Sequence, residues 1–255
     1  MYQSLQSGWA IAATLVLLFH LGAAISAEKY FGIQGLSVPF ALGDSGVEFF
    51  FILSGFIIFH AHKLDLGKPK TFPMYVYKRV TRIYPVYLIV FFCVYGLAMV
   101  TPQLRNTVPH DINVIVQSLL LIPLDKELVG GTGAPVLIVA WTLQFEMMFY
   151  LAFALGILNK LAGGILVATY FMGLVLGISE SGFPFSFLFS EYILLFLMGM
   201  LVSYLVSLKS LLKSNAKYFA FIGLLVYCLT ALCKIAEFEI SKSYEIVLYG
   251  IGLSF

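Results

Sequence analysis

Three ionisable side chains stand out because they sit inside apolar surroundings: His20, Glu48 and Glu146. An ionisable group near the centre of a bilayer costs roughly 2.5–3.5 kcal/mol on insertion scales, so its retention points to function by default. A histidine with carboxylates nearby can act as a general base with orienting partners. The same set would also suit a proton or ion pathway, or a buried polar cluster that holds helices together. Asp44 precedes Glu48 by four residues and Tyr150 follows Glu146 by four, so each pair shares a helical face.

A second group is basic. Tyr77-Lys78-Arg79-Val80-Thr81-Arg82 leads into the apolar run that starts at Tyr84. Arg79 and Arg82 are three residues apart and fall on one helical face. Guanidinium forks suit phosphate, which makes Lys78, Arg79 and Arg82 candidate ligand-binding residues. The competing reading is a juxtamembrane basic segment that touches lipid phosphates and fixes topology.

The elements that must carry these residues are membrane helices. Hydrophobic residues form 61% of the 255-residue chain and charged residues 11%, against roughly 25% charged in an ordinary soluble domain. A mean hydropathy of +0.97 agrees. Too few charges remain to cover a water-soluble surface. There is no basic stripe of the kind nucleic acid requires, so nucleic acid is not expected as a partner, while membrane lipid is. Cys93, Cys228 and Cys233 lie within apolar runs without metal or disulfide spacing and read as small buried hydrophobes. His60 and His62 border a loop without a carboxylate or cysteine cluster, so they are expected to be solvated or interfacial, and no metal site is expected.

A crossing needs roughly 20 apolar residues. Spans are expected near 8–27, 44–61, 84–101, 134–158, 163–179, 186–207 and 217–235, with an eighth starting near 244 and cut off at Phe255. The fold class is thus all-α, a polytopic transmembrane helix bundle of about seven full spans plus a truncated eighth, forming a single membrane-embedded domain over 1–255. The run 112–124 is short, ends at Pro123 and reads as interfacial. Residues 1–8 hold no Lys or Arg, so the first apolar run reads as a retained helix and not a signal peptide.

Charge sets the orientation, because cytoplasmic loops collect Lys and Arg. With the N-terminus inside, Lys63, Lys68, Lys70, Lys78, Arg79, Arg82, Lys160, Lys209, Lys213 and Lys217 are cytoplasmic. The acidic residues Glu28, Asp111, Asp125, Glu127, Glu180, Glu191, Glu237, Glu239 and Glu245 then fall outside, with the fewer cations Lys29, Arg105, Lys126, Lys234 and Lys242. On this topology His20 lies roughly 18 Å from the cytoplasmic end of its helix. Glu48 and Glu146 approach the outer half of the membrane with it, while the arginines stay at the inner face.

Four stretches together resemble the membrane acyltransferase superfamily often called acyltransferase family three, nearest the exopolysaccharide-production, ExoZ-like acetyltransferase branch. They are Leu5-Gln6-Ser7-Gly8-Trp9 through Leu18-Phe19-His20, Gly46-Val47-Glu48-Phe49-Phe50-Phe51-Ile52-Leu53-Ser54-Gly55-Phe56, Arg79-Val80-Thr81-Arg82-Ile83-Tyr84-Pro85, and Trp141-Thr142-Leu143-Gln144-Phe145-Glu146 with Pro135 before it and Phe149-Tyr150 after it.

The resemblance implies transfer of an acyl group, usually acetyl, from cytoplasmic acetyl-CoA to a sugar hydroxyl of a surface polysaccharide or lipid-linked sugar. No permanently bound cofactor is implied, and the location implied is the bacterial inner membrane. His20 takes the catalytic role, oriented by Glu146 or Glu48, and Arg79, Arg82 and Lys78 hold the donor. Two departures stand against it. Family members commonly carry an arginine eleven residues before the histidine, where this chain has Trp9, and family chains usually continue through more spans. A transporter for lipid-linked sugar or a small solute, and an inactive truncated homologue, are the alternative readings.

Overall fold

In the computed structural model, residues 2–28, 31–33, 40–208, 212–236, 238 and 240–254 are described. Among the loop charges above, Lys29, Lys209, Glu237, Glu239 and the Lys213 side chain lie outside them. Every regular element among the described residues is helical. The α-helices are α1 (Tyr2–Ser26), α2 (Ser45–His62), α3 (Phe72–Val100), α4 (Ile112–Leu119), α5 (Lys126–Val129), α6 (Trp141–Leu158), α7 (Lys160–Val175), α8 (Phe185–Leu188), α9 (Glu191–Ser207), α10 (Leu212–Ile235) and α11 (Lys242–Ser254). Among the described residues, six stretches are long and apolar enough to cross a membrane: Gln6–Ser26, Ala41–His62, Pro69–Val100, Ile138–Leu158, Phe185–Ser207 and Lys217–Ile235.

Several boundaries differ from the sequence reading. The span expected at 163–179 is the 16-residue helix α7, about 24 Å long and shorter than a hydrocarbon core of about 30 Å. Gly177, at φ +65°, ends that run in the left-handed region. The third span begins far earlier than residue 84. The helix is continuous from Phe72, so Lys78, Arg79 and Arg82 lie on α3 rather than in a loop. Cations near a helix end keep their charged tips wet while their stems lie along apolar surface, which lets this basic segment stay helical. The run 112–124 forms only the eight-residue α4, about 12 Å of helix and too short to cross. Cys93 and Cys228 are exposed on the chain rather than buried. His62 is buried, while His60 stacks on Phe56 with ring centres 5.8 Å apart.

The chain divides into two compact units, Met1–Lys63 with Glu191–Phe255, and Leu64–Ser190. In the first unit α2 and α9 make the closest packing, and a reciprocal pair of glycines permits it. A Cβ on Gly55 would lie 2.0 Å from the Phe196 carbonyl oxygen, and one on Gly199 would lie 1.9 Å from that of Ile52. Lipid offers no hydrophobic drive for helix association, so close backbone approach at small residues supplies the packing instead. Phe51 fills the space beside this contact, 4.8 Å from Phe196 and 5.5 Å from Tyr192 between ring centres. Gly43 and Gly46 play the same part against α1, where added Cβ atoms would meet the carbonyl oxygens of Leu15 and Ala12. That approach sets the start of α2, with Asp44, Ser45 and Glu48, directly beside the first helix.

In the second unit α3 is strapped to α4 by tyrosine hydroxyls. Tyr87 donates to the Ser118 carbonyl at 2.5 Å and Tyr84 to that of Leu120 at 3.0 Å. Helices α6 and α7 form a tight hairpin at Asn159, whose Oδ1 accepts from the Leu161 and Ala162 amides and caps α7. The buried Gln144 ties α6 to the preceding irregular segment through the carbonyls of Ile122 and Gly133.

Candidate active-site residues

His20 projects from α1 beside the packed face formed by Ala12, Val16 and Phe19. It is exposed, its ring meets Phe19 edge-on at 5.3 Å, and no hydrogen bond or ion pair holds it among the described residues. Its imidazole is therefore not enclosed by the described residues. Trp9, eleven residues earlier on the same helix, packs edge-on against Phe50 at 6.3 Å and is half exposed.

Glu48 is the most buried acid among the described residues of the first unit, at 3% exposure, and its Oε2 has no hydrogen-bond partner. A buried carboxyl oxygen of this kind is costly unless a proton, water or a ligand hydroxyl satisfies it. Asp44, one turn earlier, anchors a network of four charges. Lys234 Nζ lies 2.6 Å from Asp44 Oδ2 and 2.7 Å from Glu245 Oε1, while Lys242 Nζ lies 3.6 Å and 3.2 Å from Asp44 and Glu245. Beside it, the Ser45 and Tyr227 hydroxyls are 3.0 Å apart, and the Tyr249 ring lies 5.9 Å from Lys234 Nζ. The network joins the start of α2 to α10 and α11. The sequence reading singled out Asp44 but treated Lys234, Lys242 and Glu245 only as loop charges.

The second unit holds a different group. Arg79 rests against two buried tyrosines, with its guanidinium carbon 5.5 Å from the Tyr75 ring centre and 5.4 Å from that of Tyr150. The Tyr150 hydroxyl donates to Glu146 Oε1. The Tyr75 hydroxyl donates to the Tyr150 backbone carbonyl at 3.2 Å, and Phe153 stacks on Tyr75 at 5.8 Å. Arg82 and Lys78 are exposed on α3.

The structure thus brings Glu146 together with Arg79, through Tyr150, and brings Glu48 together with Asp44. The sequence reading had set Glu146 and the arginines on opposite sides of the membrane. Tyr75 was missed altogether. Its signal was the four-residue spacing to Arg79, an aromatic–guanidinium pair on one helical face, and it was hidden because Tyr75 lies between the spans expected at 44–61 and 84–101.

The model of an acyltransferase domain, acyltransferase family three, matches residues 9–254. Among characterised proteins, the chain is similar to the exopolysaccharide production protein ExoZ of Rhizobium meliloti (strain 1021), with 38% identity over 117 residues. That match covers 45% of this chain and 34% of the relative, so the chain spans about a third of that relative's length. No solved structure matches. With the family model covering nearly the whole chain, three of the four motif stretches entire and the first from Trp9 through His20, the protein belongs to acyltransferase family three.

Proposed function

We propose that this protein is a multi-pass inner-membrane O-acyltransferase, with its N-terminus in the cytoplasm. It moves an acyl group, acetyl in the first instance, from acyl-CoA to a hydroxyl of a surface polysaccharide or lipid-linked sugar. The family match across residues 9–254 carries this reading, and the exopolysaccharide relative supports the class of acceptor.

The chemistry is balanced without a further reagent. The sugar hydroxyl oxygen attacks the thioester carbonyl, the new ester bond forms, and the bond to sulfur breaks. His20 takes the hydroxyl proton and returns it to the departing thiolate, which leaves as coenzyme A. Its exposure on α1 and its freedom from other polar partners among the described residues suit a base that must meet two substrates. The buried Glu48 is the carboxylate of the same unit that stands ready to accept a hydrogen bond. Arg79, Arg82 and Lys78 bind the donor phosphates, where a guanidinium fork is well matched.

Expression in a host that makes the unmodified polysaccharide tests the proposal. Base-labile O-acyl esters should appear on the polymer with the intact chain and be absent with His20→Ala. An unmodified polymer with a well-inserted intact chain would count against acyl transfer.

A further inference from the structure

The group around Arg79 has an organisation that donor binding by exposed cations does not require. Of the three cations assigned to the donor, Lys78 and Arg82 are exposed, while Arg79 is half-buried and lies against two nearly inaccessible tyrosine rings. A guanidinium beside aromatic faces is fixed in orientation at little entropic cost, because its planar fork is already preorganised. Tyr150 is fixed in turn from two directions. Its hydroxyl donates to Glu146, one turn earlier on α6, and its carbonyl accepts from Tyr75, one turn before Arg79 on α3. Phe153 stacks on the Tyr75 ring. The chain of contacts runs Glu146, Tyr150, Arg79, Tyr75 and back to Tyr150, and it draws equally on α3 and α6.

We infer that Tyr150, held by Glu146, is a positioning residue for Arg79, so that Glu146 serves the acyl-CoA phosphates rather than the proton chemistry at His20. The inference rests on the reading of the arginines as the donor site. It assigns the two carboxylates of the motif helices to different substrates: Glu48 to the acceptor side and Glu146 to the donor side. It also explains why the segment pairs a glutamate with a tyrosine four residues later, a spacing that places both on one face of α6.

The test is binding of labelled acetyl-CoA to the purified full chain in lipid nanodiscs, read beside steady-state kinetics. Tyr150→Phe keeps the ring against Arg79 and removes only the hydroxyl, so it should fold normally. It should weaken acetyl-CoA binding about fivefold to tenfold, within the range of one ordinary net hydrogen bond, and raise the donor KM alike. The acceptor KM should hold. Glu146→Gln should behave the same way. In an Arg79→Lys background, Tyr150→Phe should cost little more, because a residue that acts through Arg79 has nothing left to position.

Full donor affinity in Tyr150→Phe and Glu146→Gln, with kcat lowered instead, would overturn the inference and return Glu146 to the acceptor hydroxyl. Equal losses with and without Arg79 would overturn it as well. An intact chain that binds no acetyl-CoA would remove the donor reading on which it rests. One that binds acetyl-CoA but transfers no label would instead count against acyl transfer and leave the positioning role standing.

Discussion

Lys234 and Asp44 are 190 residues apart in sequence, yet their side chains meet at 2.6 Å. The ammonium group also reaches Glu245, so one cation ties the start of α2 to the first turn of α11. The contact fixes the ground on which Glu48 stands, one turn along from Asp44.

Replacing Lys234 by Met should therefore be felt as lost stability. It leaves two partly buried carboxylates with only the more exposed Lys242 beside them, and charged hydrogen bonds of this kind contribute about 1.5–3 kcal/mol each. Thermal unfolding of the detergent-solubilised protein should show a clear drop in midpoint. Adding Asp44→Asn to Lys234→Met should recover part of it, since the two-carboxylate, one-cation imbalance is then removed. A midpoint unmoved by Lys234→Met would reduce the network to surface decoration.

Two glycines should respond in opposite ways to the same change. Gly55→Ala places a methyl 2.0 Å from a backbone oxygen of α9 that cannot swing aside. Overpacking of that type costs about 1–3 kcal/mol or more, and the yield of folded protein should fall. Gly96, within α3, has nothing within 4 Å of its added Cβ. There Gly96→Ala should be neutral or stabilising by up to about 1 kcal/mol through helix propensity. Monodispersity after extraction and unfolding temperature would score both.

These two cases mark what could be read from the chain. The spans were legible because run length and apolarity are local properties: Ala41–His62 and Lys217–Ile235 fall close to where hydropathy puts them. The Gly55–Gly199 approach and the Lys234–Asp44 pair were not legible, because each depends on which helices become neighbours. The start of α3 was misplaced for a different reason. Lys78, Arg79 and Arg82 lower local hydropathy without breaking the helix. With that turn read as loop, the meeting of Tyr75, Arg79 and Tyr150 could not be foreseen. His20 was singled out by type and position alone, while its exposure beside the packed face of α1 needed the fold.

Arg82 is the cation of the pair that the tyrosines leave exposed. Arg82→Ala should raise the KM for acetyl-CoA roughly tenfold, the loss expected for one charge-assisted hydrogen bond to phosphate, with the acceptor KM unchanged and the fold intact. Arg82→Lys should recover only part of the loss, because an ammonium cannot make a bidentate contact. Initial rates at varied donor concentration decide it. An unchanged donor KM would leave Arg82 as a topology signal.

His20→Ala should separate chemistry from folding more cleanly than any other change. The side chain is exposed and makes no polar contact among the described residues, so membrane insertion and unfolding temperature should match the intact protein. The rate of transfer should fall about 10²–10⁴-fold, the usual contribution of a positioned general base. A fall in stability of similar standing would recast His20 as a packing residue.

The most direct test of the account is transfer of label from acetyl-CoA to polysaccharide in isolated membranes, with the intact chain and His20→Ala side by side at matched protein levels. The account predicts label on the polymer with the intact chain and label near background with His20→Ala. Equal labelling in the two would contradict it, because the acyl transfer would then proceed without the histidine.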